Sequence, residues 1–404
     1  MTATVSPTPV ATAPRPAAPH RERAIDGLRA LAILGVVCGH WLVEGLSPGA
    51  GGGLVVDSPL RAAAWLAPLT WVLQMLGVFF LVGGYAAGQS LTRWRGTGGT
   101  DGAWLRRRFL RLAWPVVAAV ALVTAALPVA SLAGAAPATL RTWAVLLVQP
   151  FWFIGIYAVV TALTPVAMRL DRRWGWAAAL PLAGLVAVAD VARYGLHVVP
   201  DWAGYLTVVP AWMFTYQLGV AWARGGITRT TAWRLLLGGA ALFAALVVVL
   251  RYPASMVTVP GAGRSNSNPP SLLVPALAAV QSGAAILLRE RFDRLLHRRA
   301  GLWTGVAVLN LCAMTIFCWH QTALVTVSAG AARLGSFAGL TDAPLAGGWV
   351  AQRLGWFPVL AAALGLLVLL VRRFERPATV VTTRHRTLAV TATAVFAAYL
   401  VLVY

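Results

Sequence analysis

"IDGLRALAILGVVCGHWL", residues 25–42, is apolar enough to sit in a bilayer, yet it carries Asp26, Arg29 and His40. Arg29 and His40 are eleven residues apart. On an α-helix they therefore fall within about 20° of each other and roughly 16 Å apart along the axis. Asp26 precedes Arg29 by three residues and Glu44 follows His40 by four, which puts all four on one stripe. Ionisable groups facing hydrocarbon are costly, so such a stripe faces a bundle interior or a wet cavity and marks a functional site. Interfacial snorkelling and helix-to-helix bonding account for Asp26, Arg29 and Glu44 near the ends. They account less well for His40, which this reading places ten or more residues into the span.

The composition agrees with a membrane setting. Of 404 residues, 59% are hydrophobic and 11% charged, with a mean hydropathy of +0.74. A soluble domain carries about 25% charged residues. The expected class is all-α: a polytopic integral membrane helical bundle of about 10–11 spans, by the length a bilayer demands. The spans are 26–46, 63–91, 109–131, 142–168, 175–194, 204–223, 232–251, 271–289, 302–330, 349–371 and 386–404. Residues 1–20, rich in Pro, Ala and Thr without an apolar core, read as a disordered tail and not as a signal peptide. Residues 21–404 read as a single membrane domain.

The net charge of +21 would suggest nucleic acid in a soluble chain. Here the charge is distributed as topology requires. All 33 basic residues are arginine. The N-terminal flank and every second connection hold 26 of them, and the other connections hold seven. That alternation places the N-terminus in the cytoplasm and the C-terminus outside a cell membrane, with no nucleic-acid partner. The outer connections are long and rich in Gly, Pro and Ser, as in 47–59 and 253–271, where binding residues often lie. Cys38, Cys312 and Cys318 have no metal-ligand spacing and read as free thiols in apolar segments. No metal is expected, and no nucleotide-binding glycine motif is present.

Two further features stand out. "RRRFLRL" (106–112) puts Arg108 and Arg111 three apart at the start of the third span. Topology alone accounts for arginines there, but guanidinium groups at that depth also suit phosphate. His320, within "NLCAMTIFCWHQTALV" (310–325), is another mid-span imidazole. It reads either as a core histidine bonded to a neighbouring helix or as support for a site.

These stretches together resemble membrane acyltransferase family 3, of actinobacterial type. Arg29 and His40 match its Arg-x10-His signature. "FFLVGGYAAGQSL" (79–91) resembles its second span, with Gly83 where many members have Ser. "RRFLRLAWPV" (107–116) resembles its Arg-x-x-Arg element, and "FWFIGIYAVVTALTPV" (151–166) its tryptophan-bearing fourth span. "LNLCAMTIFCWHQTAL" (309–324) resembles a late span of such members.

The resemblance implies transfer of an acyl group, acetyl or another short chain, from an acyl-CoA co-substrate. The acceptor is a hydroxyl or amine of a carbohydrate, envelope or secondary-metabolite molecule. In that reading Arg29, Arg108 and Arg111 hold the donor phosphates. His40 acts as general base with Glu44 orienting it, or carries the acyl group itself. Asp26, Trp152 and His320 contact substrate. The rival reading is a multi-pass transporter or flippase. Cavity-lining charge suits it, but no inverted repeat or matched pair of broken spans supports it.

Overall fold

A computed structural model describes residues 22–49, 53–345 and 348–372. The N-terminal tail, the span at 386–404 and the orientation of the C-terminus lie outside these residues. The chain folds into helices joined mostly by short turns. In order they are α1 (Arg23–Val43), a hairpin of β1 (Gly45–Pro48) and β2 (Leu54–Asp57), α2 (Leu69–Leu73), α3 (Leu76–Gly96) and α4 (Asp101–Leu132). There follow α5 (Pro137–Val148), α6 (Phe151–Ala162), α7 (Thr164–Trp174), α8 (Leu180–Asp190), α9 (Val208–Ala223) and α10 (Arg229–Ala244). The last are α11 (Leu273–Arg298), α12 (Ala300–Leu311), α13 (Ala313–Ala332) and α14 (Trp349–Val371).

Among the described residues, eight helical stretches are long and apolar enough to cross a bilayer, and α12 with α13 makes a ninth if counted as one bent span. In hydrocarbon a helix satisfies its own backbone polar groups, and this is why continuous apolar runs fold this way. Two expected spans take an unexpected form. The 302–330 run breaks at Cys312, where α12 and α13 diverge by 79°. Helix α9 has only 16 residues, about 24 Å of rise, but it lies at the centre of the bundle, buried on all sides from Ala211 to Trp222.

Close packing at the centre depends on small residues. A Cβ on Gly84 of α3 would collide with the Tyr216 carbonyl of α9, and one on Gly219 with that of Leu81. Their absence lets the two backbones touch, a common device where hydrophobicity itself gives helices no reason to associate in lipid. Around this pair pack α1, α7, α8 and α11.

Polar contacts show which ends adjoin. At one end Arg23 Nη1 donates to the Leu296 carbonyl at 3.2 Å, and the Ala24 N–H to Asp293 Oδ1 at 3.1 Å, tying the start of α1 to the end of α11. Arg224, just after α9, pairs with Asp171 of α7 at 2.7 Å. At the other end α2 and the 250–271 loop meet. Trp71 Nε1 donates to the Ala254 carbonyl at 2.6 Å, and the Met256 N–H to Thr70 Oγ1 at 2.9 Å. The arginine clusters and the long glycine-rich loops thus gather at opposite ends of the bundle, as their alternation along the sequence predicts.

Candidate active site

The site forms where α1 stops. His40 lies in the last turn of α1, three residues from its end, and not deep within the span as its sequence position suggested. The helix ends at Val43, three residues short of the expected 46, and this puts His40 in its last turn. Glu44 is the first residue off the helix, with φ −107° and ψ 102°, and its N–H returns to the His40 carbonyl at 3.1 Å. It leaves the helical path, yet its side chain folds back, so that Oε1 is 2.9 Å from His40 Nδ1.

That contact sets the proton on the ring. A carboxylate only accepts, so Nδ1 carries a hydrogen, and in the neutral ring Nε2 is then the nitrogen with the lone pair. Gln321 of α13 donates a hydrogen bond to Glu44 Oε2. Its amide nitrogen also lies 3.2 Å from His40 Nδ1, as a packing neighbour, because that Nδ1 hydrogen is committed to the carboxylate. Arg353 of α14, fully buried, donates from Nη2 to the Glu44 main-chain carbonyl at 2.8 Å. Its guanidinium lies 4.5 Å over the Trp349 ring. Glu44 is thus held by its backbone, by its carboxylate and by two other helices.

His320 stands behind His40, with ring centroids 5.1 Å apart. It is fully buried, its Nδ1 bonds to the Phe317 carbonyl at 2.8 Å, and its Nε2 has no partner among the described residues. Its own main-chain carbonyl accepts from Trp41 Nε1 at 3.1 Å. His320 lies on α13, beyond the α12–α13 break. Asn310, at the end of α12, anchors the other side of the break by donating to the Asp26 carbonyl at 2.7 Å.

His40 and Glu44 open onto a cavity of about 550 Å³, within the usual range for small-molecule sites. Its walls come from α1, the hairpin, α2, α5 and the 250–271 loop, with Gln74, Gln149 and Trp152 among its side chains. The His40 side chain is 27% exposed, enough for an approaching molecule to reach it. The walls are largely apolar, with Asp57, Ser58, Thr258 and Asn268 toward the loop end.

The remaining residues singled out in the sequence divide between two places. Trp152 lines the cavity and packs against Trp212. Asp26 and Arg29 lie at the opposite, arginine-rich end, Asp26 buried and Arg29 half-buried. Arg108, also half-buried, donates to the Ala86 carbonyl of α3 at 3.3 Å and lies 4.8 Å over the Trp104 ring. Arg111 is exposed on α4. The four-residue stripe is therefore two sites on one helix: Asp26 and Arg29 at its start, His40 and Glu44 at its end.

Gln321 and Arg353 were not singled out. Arg353 read as one of the few outer arginines. Its position four residues into an apolar span (WVAQRLGWF, 349–357) was the available signal, since a lone cation there needs a partner inside the protein. Gly83 has a local explanation. A Cβ there would sit 2.8 Å from Cε2 of Tyr157, whose ring takes the space a serine would occupy.

The architecture is that of a helical, polytopic membrane protein, with a His–Glu pair at the mouth of a cavity. The profile of the acyltransferase 3 family, described as an acyltransferase domain, matches residues 22–372. The chain belongs to that family and is an acyltransferase. No curated protein and no solved structure matches it. Family membership supports the acyltransferase reading over the transporter one.

Proposed function

We propose that the protein transfers an acyl group from acyl-CoA to a hydroxyl-bearing acceptor bound in the cavity, with His40 as general base. The observation that carries this reading is the Nδ1–Glu44 contact, which leaves the Nε2 lone pair free beside the cavity. In the reaction Nε2 takes the acceptor's hydroxyl proton as its oxygen attacks the thioester carbonyl. The new C–O bond forms, the C–S bond breaks, and the leaving thiolate recovers the proton from the imidazolium. Glu44 holds the tautomer and stabilises the transient positive charge on the ring.

The donor's nucleotide end belongs with Arg29 and Arg108, with Arg111 further out, because guanidinium groups bind phosphate well. Arg29 stands roughly 16 Å along α1 from His40. The pantetheine arm would run between the helices over that distance. The proposed setting is a cell membrane with the arginine-rich end in the cytoplasm, where acyl-CoA is available. The acceptor enters from the loop end and is a carbohydrate, envelope or secondary-metabolite molecule.

The test is thiol release from acyl-CoA by purified protein in detergent. His40→Ala should abolish release while the protein still binds acyl-CoA and elutes as the wild type does. Retained turnover would overturn the assignment of His40.

A further inference from the structure

A second cavity of about 550 Å³ lies far from His40, in the groove between α10 and α11 at the arginine-rich end. Arg229 comes from the first residue of α10, Arg291 and Arg294 from the last turns of α11, and Trp233 stands among them. Below them the groove is apolar, with Leu236, Leu287 and Leu288. All three arginines are exposed, and Trp233 is 44% exposed. Glu290 also lines the groove, so the cavity carries a net charge of about +2.

The groove is a built feature of the helix pair. Gly239 and Gly283 bring α10 and α11 into backbone contact deeper in the bundle: a Cβ on Gly283 would lie 2.6 Å from the Ala232 carbonyl. The groove also lies on the far side of α11 from the proposed donor site. Arg289, which acts electrostatically on Tyr85 of α3, precedes Arg291 by two residues, about 200° around the helix. The cavity therefore faces outward, toward lipid.

Charged nitrogens at the level of a helix terminus, an amphipathic indole beside them and an apolar floor below match one ligand chemistry. It is a phosphate diester carried on acyl chains. A free phosphate would use the arginines but leave the apolar floor exposed. A zwitterionic headgroup would bring its own cation against three others. We infer that this groove binds the headgroup of an anionic phospholipid, with its acyl chains along the exposed leucines of α10 and α11.

The experiment reconstitutes the full chain in nanodiscs of phosphatidylcholine containing a minor fraction of phosphatidylglycerol. Lipids retained on the protein are then counted by native mass spectrometry. Each arginine near an anionic surface is worth about a fivefold change in binding. Replacing Arg229, Arg291 and Arg294 together with Gln should therefore reduce phosphatidylglycerol retention on the order of a hundredfold. Phosphatidylcholine retention should not change. These side chains are exposed, so the variant should fold, and its melting temperature in detergent checks this. Equal phosphatidylglycerol retention by the variant would overturn the inference. Displacement of the lipid by millimolar inorganic phosphate would overturn it too, because it would assign the arginines to free phosphate.

Discussion

Arg353 Nη2 donates to the main-chain carbonyl of Glu44 at 2.8 Å across 309 residues of sequence. The start of α14 thereby holds in place the residue that orients His40. Substituting Arg353 with Met keeps much of the stem volume but leaves the carbonyl without its donor. A buried polar group left unpaired costs about 1–3 kcal/mol. The melting temperature in detergent should fall. Turnover should fall about tenfold or more, because small misplacements of catalytic groups cost orders of magnitude in rate. A variant with wild-type turnover would show that the α1 cap keeps its geometry unaided.

Glu44→Gln tests the orientation of the histidine directly. The shape is nearly kept, but the anion that holds the Nδ1 hydrogen is lost. The expected loss in kcat is about 10²–10⁴-fold, the range for positioned acid–base groups and their orienting carboxylates. The KM for acyl-CoA should stay near that of the wild type, since Glu44 is remote from the arginine-rich end. Steady-state thiol release measures both. A raised donor KM with normal kcat would assign Glu44 to binding instead.

Gly83 and Tyr157 should behave as a coupled pair. Gly83→Ser alone forces the Tyr157 ring to move and should cost about 1–3 kcal/mol, the usual range for overpacking. Tyr157→Ala opens that space, so the double variant should lose less than the two single losses combined. A double-mutant cycle on thermal stability reads the coupling. Strict additivity would show that the two positions do not compete for space.

The 250–271 loop forms one wall of the cavity and is pinned by Arg264. That guanidinium lies 3.6 Å from the Tyr194 ring and 3.7 Å from the Tyr252 ring. Tyr252 also donates to Asp190 at 2.9 Å. Arg264→Gln should raise the acceptor KM and speed proteolysis within the loop, with the donor KM unchanged. An unchanged acceptor KM would separate the loop from acceptor binding.

Tyr252 adds a pH dependence to the same loop. Burial, and then the Asp190 charge, push its phenol up to about 12, against an ordinary value near 10. The folded chain therefore favours the protonated phenol. This stabilisation is complete below about pH 10 and is lost as the pH rises toward 12. Tyrosinate absorbance of the wild type minus that of Tyr252→Phe follows the titration.

The first helix was the most legible part of the chain. Arg29 and His40 lie on one helix, and a four-residue step is short enough for a sequence pattern to join Glu44 to His40. The partners that complete the site were hidden, because Gln321 and Arg353 reach Glu44 across 277 and 309 residues. No local periodicity encodes such a contact. The depth of His40 differs from the sequence reading because α1 stops at Val43, where Glu44 turns off the helical path, and not at 46. The bend at Cys312 was missed because no Pro or Gly adjoins it to announce a break.

Helix α1 carries Arg29 near one end and His40 near the other, with no proline between them. Under the proposed reaction it serves as a gauge. Eleven residues of regular helix set the reach from anchor to thioester, whatever acyl group the thioester carries. One residue inserted between them would swing His40 about 100° off the cavity and leave Arg29 where it is. A short thioester without a nucleotide end would fit at His40 but find no grip at Arg29. The enzyme would then select its donor by the length of the handle, and the walls around His40 would be free to select the cargo.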